Sequence, residues 1–248
     1  MGIRLGWRSG FDSGETLDYV YQNRPRGSLV VGKWLDRLYL NSPGWRGIRE
    51  RKKNLLAFLR SSIDQLKLGN RPVRILDIAA GCGRYILEVM NEMDDPQISA
   101  LLRDYKSDNV EAGRRLAQEM GTGGAHFEMG DAFDEQSLAS VDPPPTLAVV
   151  SGLYELIPDN SKVLRSLRGL AHALQNGGYL IYTGQPWHPE LEMIARVLRN
   201  REGNDWVMRR RTQQEIDELV RSAGFTKIDM AIDNDGIFTV SVAKIGRL

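Results

Sequence analysis

The sequence predicts an α/β protein in which a mainly parallel β-sheet follows a helical N-terminal segment. Before residue 70 the apolar residues recur with helical period, and from Val73 onward short apolar runs alternate with helical segments. A hairpin signal, Asp233-Asn234-Asp235-Gly236, lies near the end of the chain. Strands that alternate with helices of this length form βαβ units, and ligands bind such sheets at the carboxyl ends of the strands.

Residues 1–70 are predicted to form a helical cap or lid on a ligand-binding domain at 71–248. An apolar stripe with helical period runs through residues 28–40 and stops at Asn41-Ser42-Pro43-Gly44, and a second stripe runs through residues 46–66. We expect Trp34 and Trp45 to pack in the core or in the lid.

Seven short apolar runs are the predicted strands, and the last two form an antiparallel hairpin. They lie at 73–79, 98–105, 126–130, 146–151, 179–183, 225–232 and 237–243. Helices are predicted at 84–93, 108–120, 160–174, 189–201 and 212–223.

Composition excludes several classes of protein. The chain has 248 residues, 42% of them hydrophobic and 26% charged, as in soluble globular domains. No apolar run approaches the roughly 20 residues that span a bilayer, and the first residues lack a signal-peptide pattern, so we expect a cytoplasmic protein. The single cysteine, Cys82, excludes a disulfide framework, and the three scattered histidines predict no metal site.

The net charge of +1 conceals an asymmetry along the chain. Residues 1–60 carry 12 Lys and Arg against 5 Asp and Glu, whereas residues 61–248 carry 21 against 27. A basic N-terminal segment indicates an anionic partner such as a phosphate, a carboxylate or a lipid headgroup, with peripheral membrane contact as one interpretation. The alternative is that these side chains only solvate the outer faces of helices. The near-zero net charge argues against a nucleic-acid partner.

The segment from Ile75 to Tyr85 carries the strongest functional signal. It is a strand, an acidic residue and a Gly-rich turn into a helix; Gly81 and Gly83 let the backbone turn sharply and approach a ligand. A dinucleotide site would favour a third glycine, where this chain has Ile86, and the acidic Asp77 disfavours a pyrophosphate. Asp77 and the pattern Ala79-x-Gly81-x-Gly83 therefore favour a zwitterionic nucleoside, S-adenosylmethionine (SAM). A structural turn without a ligand is the alternative.

Two more acidic residues follow the next two predicted strands. Asp104, with Tyr105 beside it, has the position of a carboxylate that binds ribose hydroxyls. Asp131 could accept a hydrogen bond from an adenine amino group, with Ala132 and Phe133 flanking the base. Each acid alone could be a loop residue or a helix cap. Three at the ends of three consecutive strands indicate a nucleoside site.

From Ile75 onward the chain resembles class I SAM-dependent methyltransferases. More narrowly, it resembles a family of bacterial methyltransferases whose members also occur fused behind an α/β-hydrolase-like domain. The resemblance rests on RLYLNSPGWR at 37–46, SGLYEL at 151–156, YTGQPWHP at 182–189, MRRR at 208–211 and GIFTVS at 236–241.

The resemblance implies a Rossmann-like seven-stranded sheet with an antiparallel last strand. It also implies SAM as methyl donor and S-adenosylhomocysteine (SAH) as product, but no particular acceptor. Tyr19 and Tyr21 would reach the carboxylate of the donor's methionine moiety, a role that N-terminal tyrosines take in similar enzymes.

The loop after the fourth predicted strand is expected to lie beside the methyl group. Ser151 and Gly152 would contact the cofactor, and Tyr154 and Glu155 could orient or deprotonate the acceptor. For Glu155 the alternative is a carboxylate that caps a helix entry.

The loop after the fifth predicted strand is aromatic and stiffened by proline. Gln185 and Trp187 are candidate acceptor-binding residues. His188 has a side chain suited to general-base catalysis near neutral pH. A capping or packing histidine is the alternative.

Three arginines are candidate ligands for an anionic group on the acceptor. Arg209 and Arg210 precede a helix, and Arg46 lies in the basic N-terminal segment, where Arg49 and Arg51 could add to the same site. The guanidinium group is suited to bidentate contact with carboxylates and phosphates. The alternative is a solvated charged face.

The residues thus favour an enzyme that moves a methyl group from SAM to an oxygen or nitrogen of a small or lipid-linked acceptor, with an anionic acceptor as one interpretation. A SAM-binding subunit without turnover and a nicotinamide-dependent oxidoreductase are the alternatives. The missing third glycine counts against the oxidoreductase. The enzyme predicts an open pocket near Tyr154 and Trp187, and the inactive subunit predicts a closed one.

Overall fold

A single seven-stranded sheet organises the computed structural model, which describes residues 1–246. The strand order is β3-β2-β1-β4-β5-β7-β6. Strands β1 to β5 pair in parallel, and β7 runs antiparallel to both of its neighbours. The strands are β1 (Val73–Asp77), β2 (Ile98–Asp104), β3 (Ala125–Met129), β4 (Leu147–Val150), β5 (Tyr179–Gly184), β6 (Phe225–Ile232) and β7 (Thr239–Ile245). The predicted Rossmann-like fold is confirmed.

Ten α-helices surround or precede this sheet within residues 1–246. They are α1 (Gly2–Ser9), α2 (Gly14–Gln22), α3 (Leu29–Leu40), α4 (Pro43–Leu68), α5 (Arg84–Met93), α6 (Ser107–Met120), α7 (Glu135–Ala139), α8 (Asn160–Ala173), α9 (Leu191–Val197) and α10 (Gln213–Ser222). A 3₁₀ turn covers Tyr154–Leu156. The division into a cap at 1–70 and a domain at 71–248 stays a prediction, and residues 247–248 lie outside the described part of the chain.

Helix α1 was not predicted, and the helix predicted at 189–201 is longer than the observed α9 (Leu191–Val197). Gly2 and Gly6 lower the helix propensity of α1, so the sequence pattern there is weak. The packing nevertheless requires glycine at position 6, because a Cβ atom there would lie 2.3 Å from the ring of Phe11. The helix after β5 ends at Val197 because the chain then forms an isolated bridge between Arg199 and Asp205.

The core has two layers, one on each face of the sheet. Helix α4 contributes Leu55, Leu59 and Ile63 to one layer, and α8 and α10 contribute Leu167 and Val220 to the other. Each of these side chains is fully buried and stabilises the fold by roughly 1.5–3 kcal/mol. The second half of α4 is therefore part of the sheet packing.

A third apolar cluster joins the N-terminal helices to the carboxyl end of the sheet. Phe11, Leu40 and Trp45 pack in it against Ile237 and Phe238, which precede β7. The prediction that Trp45 packs in the core or lid is confirmed. The cluster holds the N-terminal helices over the edge of the sheet where ligands bind in this fold class.

Helix α3 differs from the prediction. Its buried side chains are Asp36 and Leu40, whereas the predicted apolar stripe faces outward and Trp34 is 59% exposed. The Asp36 carboxylate accepts hydrogen bonds from the backbone N–H groups of Gly2 (2.7 Å) and Arg26 (2.8 Å). These bonds hold the side of α3 that carries Asp36 toward the protein interior. The prediction that Trp34 packs in the core or lid is wrong.

Among residues 1–246, no helix combines the length and apolar character needed to cross a membrane.

Candidate functional site

A cavity of about 410 Å³ lies at the carboxyl ends of the parallel strands. Its wall contains the Gly-rich loop after β1 and the loops after β2, β3 and β4. The predicted cofactor residues that line it are Ala79, Gly81, Asp104, Tyr105, Asp131, Ala132, Phe133, Ser151, Gly152 and Tyr21. The topology thus brings together side chains that lie far apart in the sequence.

The Gly-rich loop turns as its glycines predict. Gly81 and Gly83 have φ of +58° and +68°, in the left-handed region that favours glycine. The N–H of Gly83 donates to the carbonyl of Ala80 at 2.8 Å, and Gly83 is the residue from which α5 starts. A Cβ atom at Gly83 would lie 2.3 Å from Leu102 Cδ2, so a larger residue would disturb the packing behind the loop.

Asp104 fixes this loop to the end of β2. Its Oδ2 accepts the N–H of Gly81 at 2.9 Å, and its Oδ1 accepts the N–H of Lys106 at 2.9 Å and the Asn109 Nδ2 at 3.0 Å. The carboxylate is nearly buried but still lines the cavity. It is therefore held rigidly where it can accept further hydrogen bonds from a ligand.

Asp77 and Gly83 lie behind the cavity wall. Asp77 accepts hydrogen bonds from the Tyr85 hydroxyl and from the Ala79 N–H (3.2 Å), and its burial raises the pKa of its carboxyl to about 7. Tyr85 lines the cavity in its place. The structure corrects the predicted direct contacts of Asp77 and Gly83 with the ligand, because neither residue lines the cavity and the Asp77 carboxyl instead accepts hydrogen bonds from Tyr85 and Ala79.

Helix α2 forms the opposite wall of the same cavity. Leu17, Asp18 and Tyr21 line it, and Asp18 forms an ion pair with Arg84 at the start of α5, with Arg84 Nη2 to Asp18 Oδ2 at 2.9 Å. Tyr19 lies on the other side of α2, buried in the third cluster with its hydroxyl bonded to Asp36. The prediction for Tyr19 is wrong, because helical geometry turns residues 19 and 21 to different faces.

A second cavity, of about 290 Å³, adjoins the first and is mostly apolar. The N-terminal helices, α9 and the segment before β7 supply its lining, which includes Trp7, Phe11, Trp45, Ile48, Ile194 and Phe238. Asp12, Leu17, Arg51 and Gly152 line both cavities. The two spaces therefore meet at the loop after β4, beneath α2 and α4.

Glu155 and Arg51 form a buried pair at this junction. The Oε1 atom of Glu155 accepts a hydrogen bond from Thr183 Oγ1 at 2.7 Å and lies 3.5 Å from Arg51 Nη1. The Arg51 guanidinium stacks over the ring of Phe238, 5.1 Å from its centroid. Glu155 Oε2 is buried without a hydrogen-bond partner among the described residues, so it is available to a ligand. The structure brings Glu155 to the site, as predicted.

His188 also lines the apolar cavity, but its chemistry differs from the prediction. Its Nδ1 accepts the N–H of Glu190 at 3.0 Å, and burial lowers the pKa of the imidazole to about 4. The ring is therefore neutral at pH 7, with its hydrogen on Nε2. Gly44 leaves room for the ring, since a Cβ atom there would lie 2.6 Å from His188 Nε2. His188 is thus a hydrogen-bond donor, and the general-base prediction is wrong.

Of the other acceptor-side candidates, only Gln185 lines the apolar cavity, with its Nε2 3.6 Å from Met208 Sδ. Tyr154 is buried in the core, and its hydroxyl lies 2.9 Å from Ser166 Oγ. Trp187 is half exposed and lines neither cavity. The predictions for Tyr154 and Trp187 are wrong: the 3₁₀ turn after β4 directs Tyr154 to α8, and the loop after β5 leaves Trp187 outside.

The predicted arginine clamp is absent from both cavities. Arg209 hydrogen-bonds to Asn160 Oδ1 (2.6 Å) and Glu215, and Arg46 pairs with Asp235 at 3.1 Å. Arg210 is exposed and lines neither cavity. The prediction for these three arginines is wrong, because local acceptors already bind two of the guanidinium groups. Arg51, which was predicted to add to the same site, does line both cavities.

Several residues that line the two cavities were not predicted. Trp7 and Phe11 pack edge-to-face with ring centroids 5.8 Å apart, and Asp12 lines both cavities. No helical pattern signalled this pair, because α1 ends at Ser9 and Phe11 lies in the turn that follows. Trp206 lines the apolar cavity from an irregular segment that carries no such signal.

Solved structures with the same fold include two that cover nearly the whole chain. One, from Bordetella parapertussis and described as a possible exported protein, is 19% identical, covers 95% of this chain and 80% of its own, and has a TM-score of 0.75. The other is magnesium protoporphyrin IX methyltransferase from Synechocystis PCC 6803 with bound SAH; it is 13% identical, covers 96% of this chain and 97% of its own, and has a TM-score of 0.64. At these identities the likeness shows the fold.

A closer relative is the curated Escherichia coli (strain K12) protein named "Uncharacterized protein YnbC". It is 53% identical over 245 residues, which are 98% of this chain and 42% of the relative. The chain thus spans less than half of that protein, and fusion to a hydrolase-like domain stays a prediction. Residues 1–245 match the model of a family described as "Putative methyltransferase". The chain therefore belongs to this methyltransferase family.

Proposed function

We propose that this protein uses SAM to methylate an oxygen or nitrogen atom of an acceptor with an apolar body. The observation that carries the proposal is the meeting of two cavities of different chemistry at Arg51 and Gly152. One has the carboxylates that a nucleoside needs, and the other has the apolar lining of a small-molecule site. Membership of a methyltransferase family supports the same conclusion.

The first cavity fits SAM by the chemistry of its lining. Asp104 would accept from the ribose hydroxyls, and Asp131 from the adenine amino group between Ala132 and Phe133. Ser151 Oγ, which also lines the cavity, is buried without a hydrogen-bond partner in residues 1–246, as expected of a group that a ligand completes. When bound, SAM supplies a methyl group that is already activated, so the protein has to position the acceptor.

Glu155 is the proposed proton acceptor. Its free Oε2 would take the proton from an acceptor hydroxyl as the oxygen–methyl bond forms, or from an acceptor ammonium before the nitrogen–methyl bond forms, so that the nitrogen has a lone pair. In both cases the methyl–sulfur bond of SAM breaks, and the methylated product and SAH remain. Arg51 and Thr183 hold the carboxylate in place through Oε1. His188 would donate from Nε2 to an oxygen atom of the acceptor and so fix its orientation.

The lining of the second cavity sets the class of acceptor. Aromatic and aliphatic side chains dominate, and the Glu155–Arg51 pair brings no net charge. We propose a small or lipid-linked acceptor whose polar group lies near Glu155 and whose body fills the apolar space, rather than a nucleic acid. The cytoplasm is the proposed compartment, and the free thiol of Cys82 suits its reducing conditions.

Methyl transfer from isotope-labelled SAM to an organic extract of cells tests the proposal. We expect label in an organic-soluble product and, for Glu155→Gln, a loss of turnover of roughly 10²- to 10⁴-fold with unchanged SAM affinity by calorimetry. Glu192→Gln is the control, because that carboxylate is exposed on α9 and pairs with Arg196.

Three results would contradict the proposal. Full turnover of Glu155→Gln would remove Glu155 as the proton acceptor. SAM binding without label transfer to any fraction would favour a non-catalytic subunit. Tight NADH binding without SAM binding would favour an oxidoreductase.

A further inference from the structure

We propose that the protein docks on anionic lipid bilayers through the outer face of α3, defined as Val30, Val31, Trp34, Leu35 and Leu38. The apolar cavity then receives its acceptor from the bilayer. The docking surface stands on its own evidence; the statement about the acceptor rests on the proposed function.

The outer face of α3 is strongly exposed. Val30 is 85% exposed, Trp34 is 59% exposed and Leu38 is 51% exposed. These positions follow the helical period, so they form one continuous apolar surface rather than scattered residues. Contiguous apolar surface of this kind marks an interaction site in soluble proteins.

The fold holds this face outward. Asp36, on the opposite side of α3, is buried and accepts hydrogen bonds from Gly2, from Arg26 and from the N-terminal ammonium group at 3.1 Å. Rolling the helix to bury Trp34 and Leu38 would expose Leu40 and break these hydrogen bonds. The exposure is therefore built into the N-terminal segment.

Basic side chains distinguish a bilayer from an apolar protein partner. Lys33 and Arg37 lie on α3 and Arg4 on the neighbouring α1, and within residues 1–246 none of the three has a carboxylate partner. The nearby carboxylate of Asp36 is buried. A helix with an apolar face that includes tryptophan, flanked by Lys and Arg, is typical of binding in the interface of anionic membranes.

The rim of the apolar cavity is itself apolar and exposed. Ile3 and Trp7 of α1, and Met193 and Val197 of α9, line the cavity and are also about half exposed. Because α1 is tied to α3 through Asp36, the α1 part of this rim belongs to the same packed N-terminal segment as the outer face of α3. An apolar entrance beside a bilayer would let an amphiphile enter without exposing its apolar part to water.

Co-sedimentation with phosphatidylcholine vesicles, with and without phosphatidylglycerol, tests the docking surface in the absence of SAM. We expect binding that requires phosphatidylglycerol and weakens with salt, and at least about tenfold weaker binding for Trp34→Ser/Leu38→Ser. Leu68→Ser/Val207→Ser is the control, because those apolar side chains are even more exposed but lie elsewhere on the molecule.

Lys33→Gln/Arg37→Gln should lose the preference for phosphatidylglycerol and much of the salt dependence. SAM affinity should stay unchanged in all these variants, so a failure of docking and a failure of the proposed reaction give different results. The substituted side chains are exposed, and thermal unfolding should confirm that the variants fold.

Several results would overturn the docking proposal. Failure to sediment with either kind of vesicle would do so, as would wild-type binding by Trp34→Ser/Leu38→Ser. If vesicles are not bound and that variant instead abolishes dimers, the face binds a second copy. If it abolishes a complex with the remaining segment of the longer E. coli relative, the face is an interdomain contact.

Discussion

Replacing Gly83 with alanine should destabilise the protein far more than the same change at a glycine with equal backbone geometry. Gly83 lies in the loop between β1 and α5 with φ of +68°, and Gly121 ends α6 with φ of +69°. The two positions differ in their surroundings. A Cβ atom at Gly83 would lie 2.3 Å from Leu102 Cδ2 and 3.1 Å from Phe127 Cζ, whereas one at Gly121 would meet nothing within 4 Å.

The two costs can be separated. A left-handed conformation costs a residue other than glycine roughly 1–2 kcal/mol, and this cost applies to both variants. Overpacking adds roughly 1–3 kcal/mol at Gly83 only, because Leu102 and Phe127 are buried in the core. The free energy of unfolding should therefore fall by about 2–5 kcal/mol for Gly83→Ala and by about 1–2 kcal/mol for Gly121→Ala.

Urea unfolding followed by circular dichroism measures both values, with equal m-values as the check that the unfolded states are comparable. Equal losses in the two variants would refute the steric part of the reasoning. A loss below about 1 kcal/mol for Gly83→Ala would refute the conformational part as well.

The remaining predictions concern three ionisable groups. Asp104→Ala should weaken SAM binding by about 1–3 kcal/mol in calorimetry, whereas the exposed Asp108→Ala should leave it unchanged; equal affinities would remove Asp104 from the site. The folded-state pKa of Asp77, about 7, lies above the ordinary 3.8, so its contribution to stability is lost as pH rises from about 4 to 7. The stability of Asp77→Asn relative to the wild type should therefore increase over that same range in urea unfolding, and a constant difference would contradict the raised pKa. For His188 the folded-state pKa, about 4, lies below 6.5, so stability is lost as pH falls from 6.5 to 4. His188→Gln should show a smaller loss over that range, and an identical loss would contradict the burial of a neutral ring.

Local signals predicted the sheet and the cofactor cavity well. Alternating apolar runs, Gly81 and Gly83, and acids after successive strands each depend on a few neighbouring residues, and strand order then brings them together. Asp77 shows the limit of such signals. Its position in the sequence is the same whether its carboxyl faces a ligand or accepts from Tyr85, and only the packing decides.

The acceptor side was harder to predict because it depends on contacts between distant segments. Glu155 reaches the site through Arg51 of α4 and Thr183 of β5, and neither partner is near it in the sequence. The predicted burial of the apolar stripe on α3 was wrong for a related reason. Helical period shows which residues share a face, but the direction of that face was set by Asp36 and its bonds to α1 and α2.

Helix α2 roofs the cofactor cavity, with Asp18 bonded to Arg84 on the opposite wall. Each catalytic cycle has to release SAH and admit fresh SAM at this cavity. If that exchange moves α2 away from α5, it breaks the partly buried ion pair, and the N-terminal helices then influence the residence time of the cofactor as well as the shape of the acceptor site.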